Sequence, residues 1–117
     1  MAQSPALPFS KVRLAHGLVF LSGEMAFAAD GSLPAGITAQ TALALERIAG
    51  TLATVGLGLT DVVQVGVHLV DEGDFPAFNM AYRQHFKDPL PVRTTVVARL
   101  LAPGALVEIT VTAAQRG

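Results

Sequence analysis

Two charged residues set in strongly apolar runs are the chain's main candidates for chemistry. Arg93 follows Pro91-Val92 and opens a run of Thr, Val and Ala that stays uncharged until Arg99. A guanidinium placed there can pair bidentately with a carboxylate through its planar fork of donors, a geometry lysine cannot offer. Taken alone, an arginine in such a position is more often structural or solvated than a ligand anchor. Glu108 stands in Leu106-Val107-Glu108-Ile109-Thr110-Val111, where alternation sets it on the face opposite Val107 and Ile109. On a buried face its carboxylate must find a partner or hold its proton more tightly, and either state suits a group that orients or activates water. Spacing alone favours the blander case of an outward glutamate on a half-exposed strand.

Weaker signals surround these two. Ser22-Gly23-Glu24 ends a predicted strand, where a hydroxyl and free N–H groups can face a cleft, although an isolated Ser-Gly is usually just a turn. Asn79 and Tyr82 lie three apart on a predicted helix and so share a face, with core packing around one satisfied hydroxyl as the plainer account. His16, His68 and His85 are far apart and match no H-E-x-x-H pairing, so no metal site is expected. Nucleophile-elbow, P-loop and dinucleotide fingerprints are missing as well, and no large cofactor is expected. The chain has no cysteine, which removes disulfides, thiolate nucleophiles and Cys-ligated zinc together.

These residues need elements to position them. Lys11 to Leu14 and Leu18 to Ser22 read as a hairpin about His16-Gly17, followed by turn chemistry at Ala29 to Ser32 and a short strand around Ser32 to Pro34. Thr38 reads as the cap of a helix to about Val55, with Leu45, Ile48, Leu52 and Val55 on one stripe and Gly56 as its stop. Gly50 inside that helix costs roughly 1 kcal/mol relative to alanine, which close packing onto a sheet would explain. Asp61 to Val70 alternates as a strand, with Val63, Val65, Val67 and Leu69 on one face and Gln64, Gly66 and His68 on the other. Asp74 reads as the cap of a second helix through Phe75, Phe78, Tyr82 and Phe86, which Pro89 and Pro91 end. The last two β-branched runs, on either side of Ala102-Pro103-Gly104, are expected to pair as an antiparallel hairpin. The order ββ(β)αβαββ predicts an α+β fold, two helices on one face of a mixed sheet of about six strands.

Composition bounds the rest. A chain of 117 residues is expected to form one domain, 1–117, since halves would be too small to bury useful cores. Hydrophobic residues make up 51% and charged residues 15%, an apolar surplus that symmetric association of sheet faces would bury. Eight Lys and Arg against nine Asp and Glu, with no basic stripe, argue against nucleic acid as a partner. No apolar run approaches the ~20 residues that span a bilayer, so no membrane partner is expected. The start MAQSPALPFSK lacks a signal-peptide pattern, so a cytoplasmic location is expected.

Taken together and in order, several segments make the chain resemble the RidA (YjgF) family, also called the endoribonuclease L-PSP family. They are Leu18 to Gly23, Gln40-Thr41, Asp61-Val62-Val63, Asp74-Phe75 with Asn79 and Tyr82, Pro91 to Val96, and Leu106 to Ile109. The resemblance runs over roughly residues 8 to 114. It implies a chorismate-mutase-like fold and a homotrimer with clefts at the subunit interfaces. It also implies hydrolysis of enamines and imines, such as 2-aminoacrylate, 2-iminopropanoate and 2-iminobutanoate, to 2-oxo acids and ammonia without a cofactor. On the same footing Arg93 would hold the substrate carboxylate and Glu108 would position the attacking water. Phe9, Ser22, Gly23, Asn79, Tyr82 and Thr95 would line the cleft. Phe9 stands where many members carry Tyr, Thr95 where Cys is common, and Glu24 where Gln is frequent, the last an acidic neighbour that would oppose a carboxylate ligand. A non-catalytic module binding 2-oxo acids is the alternative reading, and a ribonuclease or translation inhibitor a weaker one.

Overall fold

The computed structural model describes residues 6–117. In chain order these form β1 (Val12–Ala15), β2 (Leu18–Leu21), α1 (Ile37–Ala53), β3 (Val62–Leu69), α2 (Phe75–Arg83), β4 (Val92–Val97) and β5 (Val107–Ala114). The strands make one mixed sheet in the order β1-β2-β5-β3-β4, antiparallel except for the parallel pair β3 and β4. The expected α+β class holds, with five strands in place of about six. The missing strand is the one expected at Ser32 to Pro34. There the Asp30 carboxylate accepts from both the Ser32 N–H at 3.0 Å and its hydroxyl at 2.6 Å, which holds the segment as a turn.

The first hairpin follows from its turn residues. His16 and Gly17 both take positive φ, 53° and 78°, and connect Ala15 directly to its partner Leu18. Such a two-residue turn matches the twist of the strands it joins.

The final hairpin does not form. Strand β5 lies between β2 and β3, and β4 takes the sheet edge. Two demands decide this. Helix α2 crosses over between β3 and β4, and a strand returning after such a crossover runs parallel to the one before it. Along β5, Val107, Ile109, Val111 and Ala113 are all 0–1% exposed, a burial only a central strand provides, whereas β4 has just Arg93 and Thr95 half-buried.

Smaller corrections have equally local causes. The alternation read from Asp61 is out of step at Val63, which is 44% exposed, because a bulge between Val62 and Gln64 hands the core position to Val62. Helix α1 begins at Ile37 with Gly36 at its N-cap, leaving Thr38 inside the first turn. At its far end Gly56 takes φ 77°, and the Leu57 N–H donates back to the Leu52 carbonyl at 3.0 Å, closing the helix as expected. Gly50 is exposed, with nothing within 4 Å of a β-carbon built on it, so sheet packing does not explain it. Asp74 makes no side-chain cap; Asp71 accepts from the Gly73 N–H at 2.8 Å and opens a 3-10 turn that leads into α2. That helix stops at Arg83, well before Pro89, while Phe86 stays buried against Tyr82.

Leu45, Ile48 and Leu52 of α1 and Phe78 of α2 pack on the inner side of β3 and β5 to form the core. Gln40 bolts one end of it, donating to the Pro34 and Gly104 carbonyls and accepting from the Leu106 N–H, so its buried amide is satisfied. Neither helix covers the opposite sheet face, where Phe20 is 43%, Val96 45% and Val92 68% exposed among Thr94, Thr110 and Thr112. No helix among the described residues is long and apolar enough to cross a membrane.

Candidate functional site

Arg93 pairs with Val65 across β4 and β3 and therefore points to the helix side of the sheet. Its guanidinium carbon lies 4.8 Å from the ring centre of Tyr82, 5.3 Å from Phe78 and 5.8 Å from Phe75. Three ring faces from α2 thus hold the cation by its quadrupole attraction without consuming its N–H donors. Among the described residues Arg93 has no carboxylate partner. Beside it opens a cavity of about 290 Å³ walled by Asn79, Tyr82, Arg83 and Phe86 of α2 and its C-terminal extension, together with Leu90 and Pro91. Tyr82 is 8% exposed, and its hydroxyl finds no hydrogen-bond partner among the described residues. Burial pushes its phenol up from the ordinary value, against the opposing pull of the Arg93 charge.

Glu108 belongs to a second constellation. It pairs with His68 across β5 and β3, on the uncovered face of the sheet. The chain leaving β2 passes it so closely that a β-carbon on Gly23 would sit 2.9 Å from the Glu108 carboxyl carbon and 3.0 Å from Thr110 Oγ1. A side chain there would push the Glu108 carboxyl and the Thr110 hydroxyl aside, so glycine lets the backbone lie against the carboxylate as it stands. Ser22 donates its hydroxyl to the Ser10 carbonyl at 2.6 Å and its N–H to the Lys11 carbonyl at 3.1 Å. Those bonds tie down the segment carrying Phe9, whose ring is exposed. The His68 Nδ1 atom is buried and has no partner among the described residues.

The structure therefore sorts the sequence-derived residues into two groups. Arg93, Asn79 and Tyr82 meet at one cavity, and Glu108, Gly23 and Ser22, with Phe9 nearby, gather on the other side of the sheet. Arg93 and Glu108 do not meet within one chain. Their β3 partners, Val65 and His68, are three residues apart, and an odd separation along a strand means opposite faces. Thr95 shares the inner side of β4 with Arg93, yet it lines a separate cavity of about 240 Å³ with Phe75 and Glu72. Glu24 is held by its neighbours. It bridges to Ile109 through backbone bonds and pairs with Arg47, which also donates to the Phe27 carbonyl at 2.6 Å. Its charge is neutralised, and the expected opposition to a carboxylate ligand loses its basis.

Arg83 went unnoticed in the sequence, although a signal existed. It stands four residues after Asn79, and with Tyr82 it completes an i, i+3, i+4 set along one side of α2.

Comparison with known proteins places this geometry in context. The sequence model of the endoribonuclease L-PSP family matches residues 1–115. The protein mmf2, mitochondrial, of Schizosaccharomyces pombe is 36% identical over 111 residues, covering 92% of this chain and 88% of that protein. A 2-iminobutanoate/2-iminopropanoate deaminase of Capra hircus is 34% identical over 118 residues, covering 97% of this chain and 86% of the relative. Among solved structures, E. coli TdcF with bound serine superposes with a TM-score of 0.86 at 27% identity, covering 98% of this chain and 94% of TdcF.

Proposed function

The chain belongs to the endoribonuclease L-PSP family, the RidA/YjgF family, and on that premise we propose that it hydrolyses small 2-imino acids to 2-oxo acids and ammonia. The observation that carries this reading is Arg93: a cation held over three rings, without a carboxylate partner among the described residues, at the edge of a cavity. Such a group offers a substrate carboxylate two parallel N–H donors at little reorganisation cost. The name of the goat relative and the serine bound to E. coli TdcF, a small molecule with the same carboxylate next to a nitrogen-bearing carbon, support it.

A 2-imino acid is already electrophilic at C2. Water adds there as Glu108 accepts its proton, giving a tetrahedral carbinolamine. With the imine nitrogen protonated at the outset, return of that proton to nitrogen lets the C–N bond break. Ammonia leaves while Glu108 takes up the hydroxyl proton, the C2 oxygen becomes the carbonyl of the 2-oxo acid, and the proton passes on to ammonia. Because Arg93 and Glu108 occupy opposite sheet faces in one chain, the proposal includes a homotrimer in which one subunit's Arg93 group faces its neighbour's Glu108 group. The uncovered face with Phe20, Val92 and Val96 supplies the apolar surface for such an assembly.

The test generates 2-aminoacrylate with a pyridoxal-phosphate serine dehydratase and follows oxo-acid release. Added protein accelerates release, Arg93→Ala loses about 100-fold or more in kcat/KM as expected for a lost charge-assisted anchor, and Glu108→Gln loses kcat chiefly. No acceleration, or acceleration indifferent to both substitutions, overturns the assignment. One observation favours a second reading, a module that binds 2-oxo acids without turnover: the Arg93 cavity is formed within a single chain. Arg93-dependent thermal stabilisation by pyruvate with no imine hydrolysis selects it.

A further inference from the structure

The cavity beside Arg93 has a second guanidinium on its wall, and we infer that it selects acids with two carboxylates. The C1 carboxylate of a 2-imino or 2-oxo dicarboxylic acid lies on Arg93 and the distal carboxylate on Arg83. The inference rests on Arg93 being the carboxylate anchor proposed above and adds the class of substrate that anchor serves.

Charge balance is the first argument. Away from this cavity, Arg47 pairs with Glu24 and Arg116 with Asp61, while Arg13 and Arg99, which share no cavity with a second arginine, have no carboxylate partner among the described residues. Arg83 and Arg93 have none among the described residues, and no carboxylate lines the cavity they share. The remaining wall is largely apolar, with Phe86, Leu90 and Pro91. Arg83 is exposed at the rim and Arg93 half-buried at the wall, and two cations on one cavity repel each other within a screening length. A monoanion neutralises one of them; a dianion neutralises both.

Geometry is the second. Asn79, Tyr82 and Arg83 fall at i, i+3 and i+4 on α2, so the helix brings all three to the same cavity while β4 brings Arg93. Arg83 lies in the last turn of α2, where the exposed carbonyl ends favour a cation. That interaction keeps the charge in place and leaves side-chain donors for a ligand. The buried Tyr82 hydroxyl, without a partner among the described residues, is the unsatisfied polar group on this wall, and a bound acid can satisfy it. Hydrolysis itself is unchanged, since the second carboxylate takes no part in water addition at C2.

The test is calorimetric binding of two acids of equal chain length, 2-oxoglutarate and 2-oxopentanoate, to the wild-type protein and to Arg83→Ala, Arg83→Gln and Arg93→Ala. The dicarboxylate binds roughly fivefold tighter than the monocarboxylate, the margin of one partly exposed ion pair, and both Arg83 variants bring the ratio of the two Kd values to near one. Equal affinities in the wild type, or a preference that survives Arg83→Ala and Arg83→Gln, overturn the inference. If the wild type shows no preference while Arg93→Ala abolishes binding of both acids, the second carboxylate site fails and the anchor stands. If Arg93→Ala binds both acids as the wild type does, the anchor fails and takes this inference with it.

Discussion

Tyr82 is the chain's one tyrosine, and there is no tryptophan, so its ionisation can be followed without interference. Burial favours its neutral form, the Arg93 cation favours the phenolate, and burial wins, leaving the phenol above its ordinary value of 10.0. A group raised in the folded state contributes stability that is fully present below the unfolded value and is lost as pH rises through the folded one. In an ultraviolet titration the phenolate therefore appears above pH 10.0, and stability falls over the same alkaline range. Arg93→Met removes the opposing charge and shifts the midpoint higher still. A midpoint that stays put or moves down in that variant would mean that Arg93 does not sit over this ring. The residue types of this site were legible in the sequence: Arg93 stood out as a lone cation after Pro91-Val92, and Glu108 as a lone acid between Val107 and Ile109. What each touches was not. The rings over Arg93 come from a helix whose contact with β4 is set by tertiary packing, and a glycine's closeness to Glu108 leaves no mark in composition.

At the scale of elements, strand and helix existence followed from local pattern except for the strand expected at Ser32 to Pro34, while strand pairing did not. The two C-terminal runs looked like a hairpin because Ala102-Pro103-Gly104 provides a turn. Their true places depend on the α2 crossover and on which strand can be buried on its inner side, both non-local facts. Gly50 shows the same limit. In the sequence its cost in α1 invited a packing explanation, yet the position is open to solvent and its φ is not in the left-handed region. Nothing in the structure needs a glycine there. Gly50→Ala should therefore stabilise the protein by about 0.5–1 kcal/mol, through helix propensity and a less flexible unfolded chain. Urea denaturation with an unchanged m-value would show it as a higher midpoint. A lower midpoint would mean that this helix face is covered by something a methyl group disturbs.

For the whole molecule the decisive fact is the odd separation, three positions, between Val65 and His68. It sends Arg93 and Glu108 to opposite sheet faces, and no side-chain rearrangement within one chain brings them to a common substrate. If one subunit supplies the arginine and the next the glutamate, two inactive variants carry complementary halves. Arg93→Ala retains Glu108, Glu108→Ala retains Arg93, and a mixed trimer contains interfaces where both intact halves meet. Random assembly from equal amounts makes roughly a quarter of all interfaces complete, since each needs the right variant on each side. Unfolding the two variants together and refolding them should thus restore roughly a quarter of wild-type imine hydrolysis, while each refolded alone stays inactive. A site contained in one chain predicts no recovery at any mixing ratio. The same mixture distinguishes assembly from chemistry. Phe20→Glu places a charge on the uncovered sheet face, where Phe20 is 43% exposed, and should shift sedimentation toward monomer and abolish the recovery. Recovery that persists in a monomer would show that the two halves meet by a route other than the sheet face.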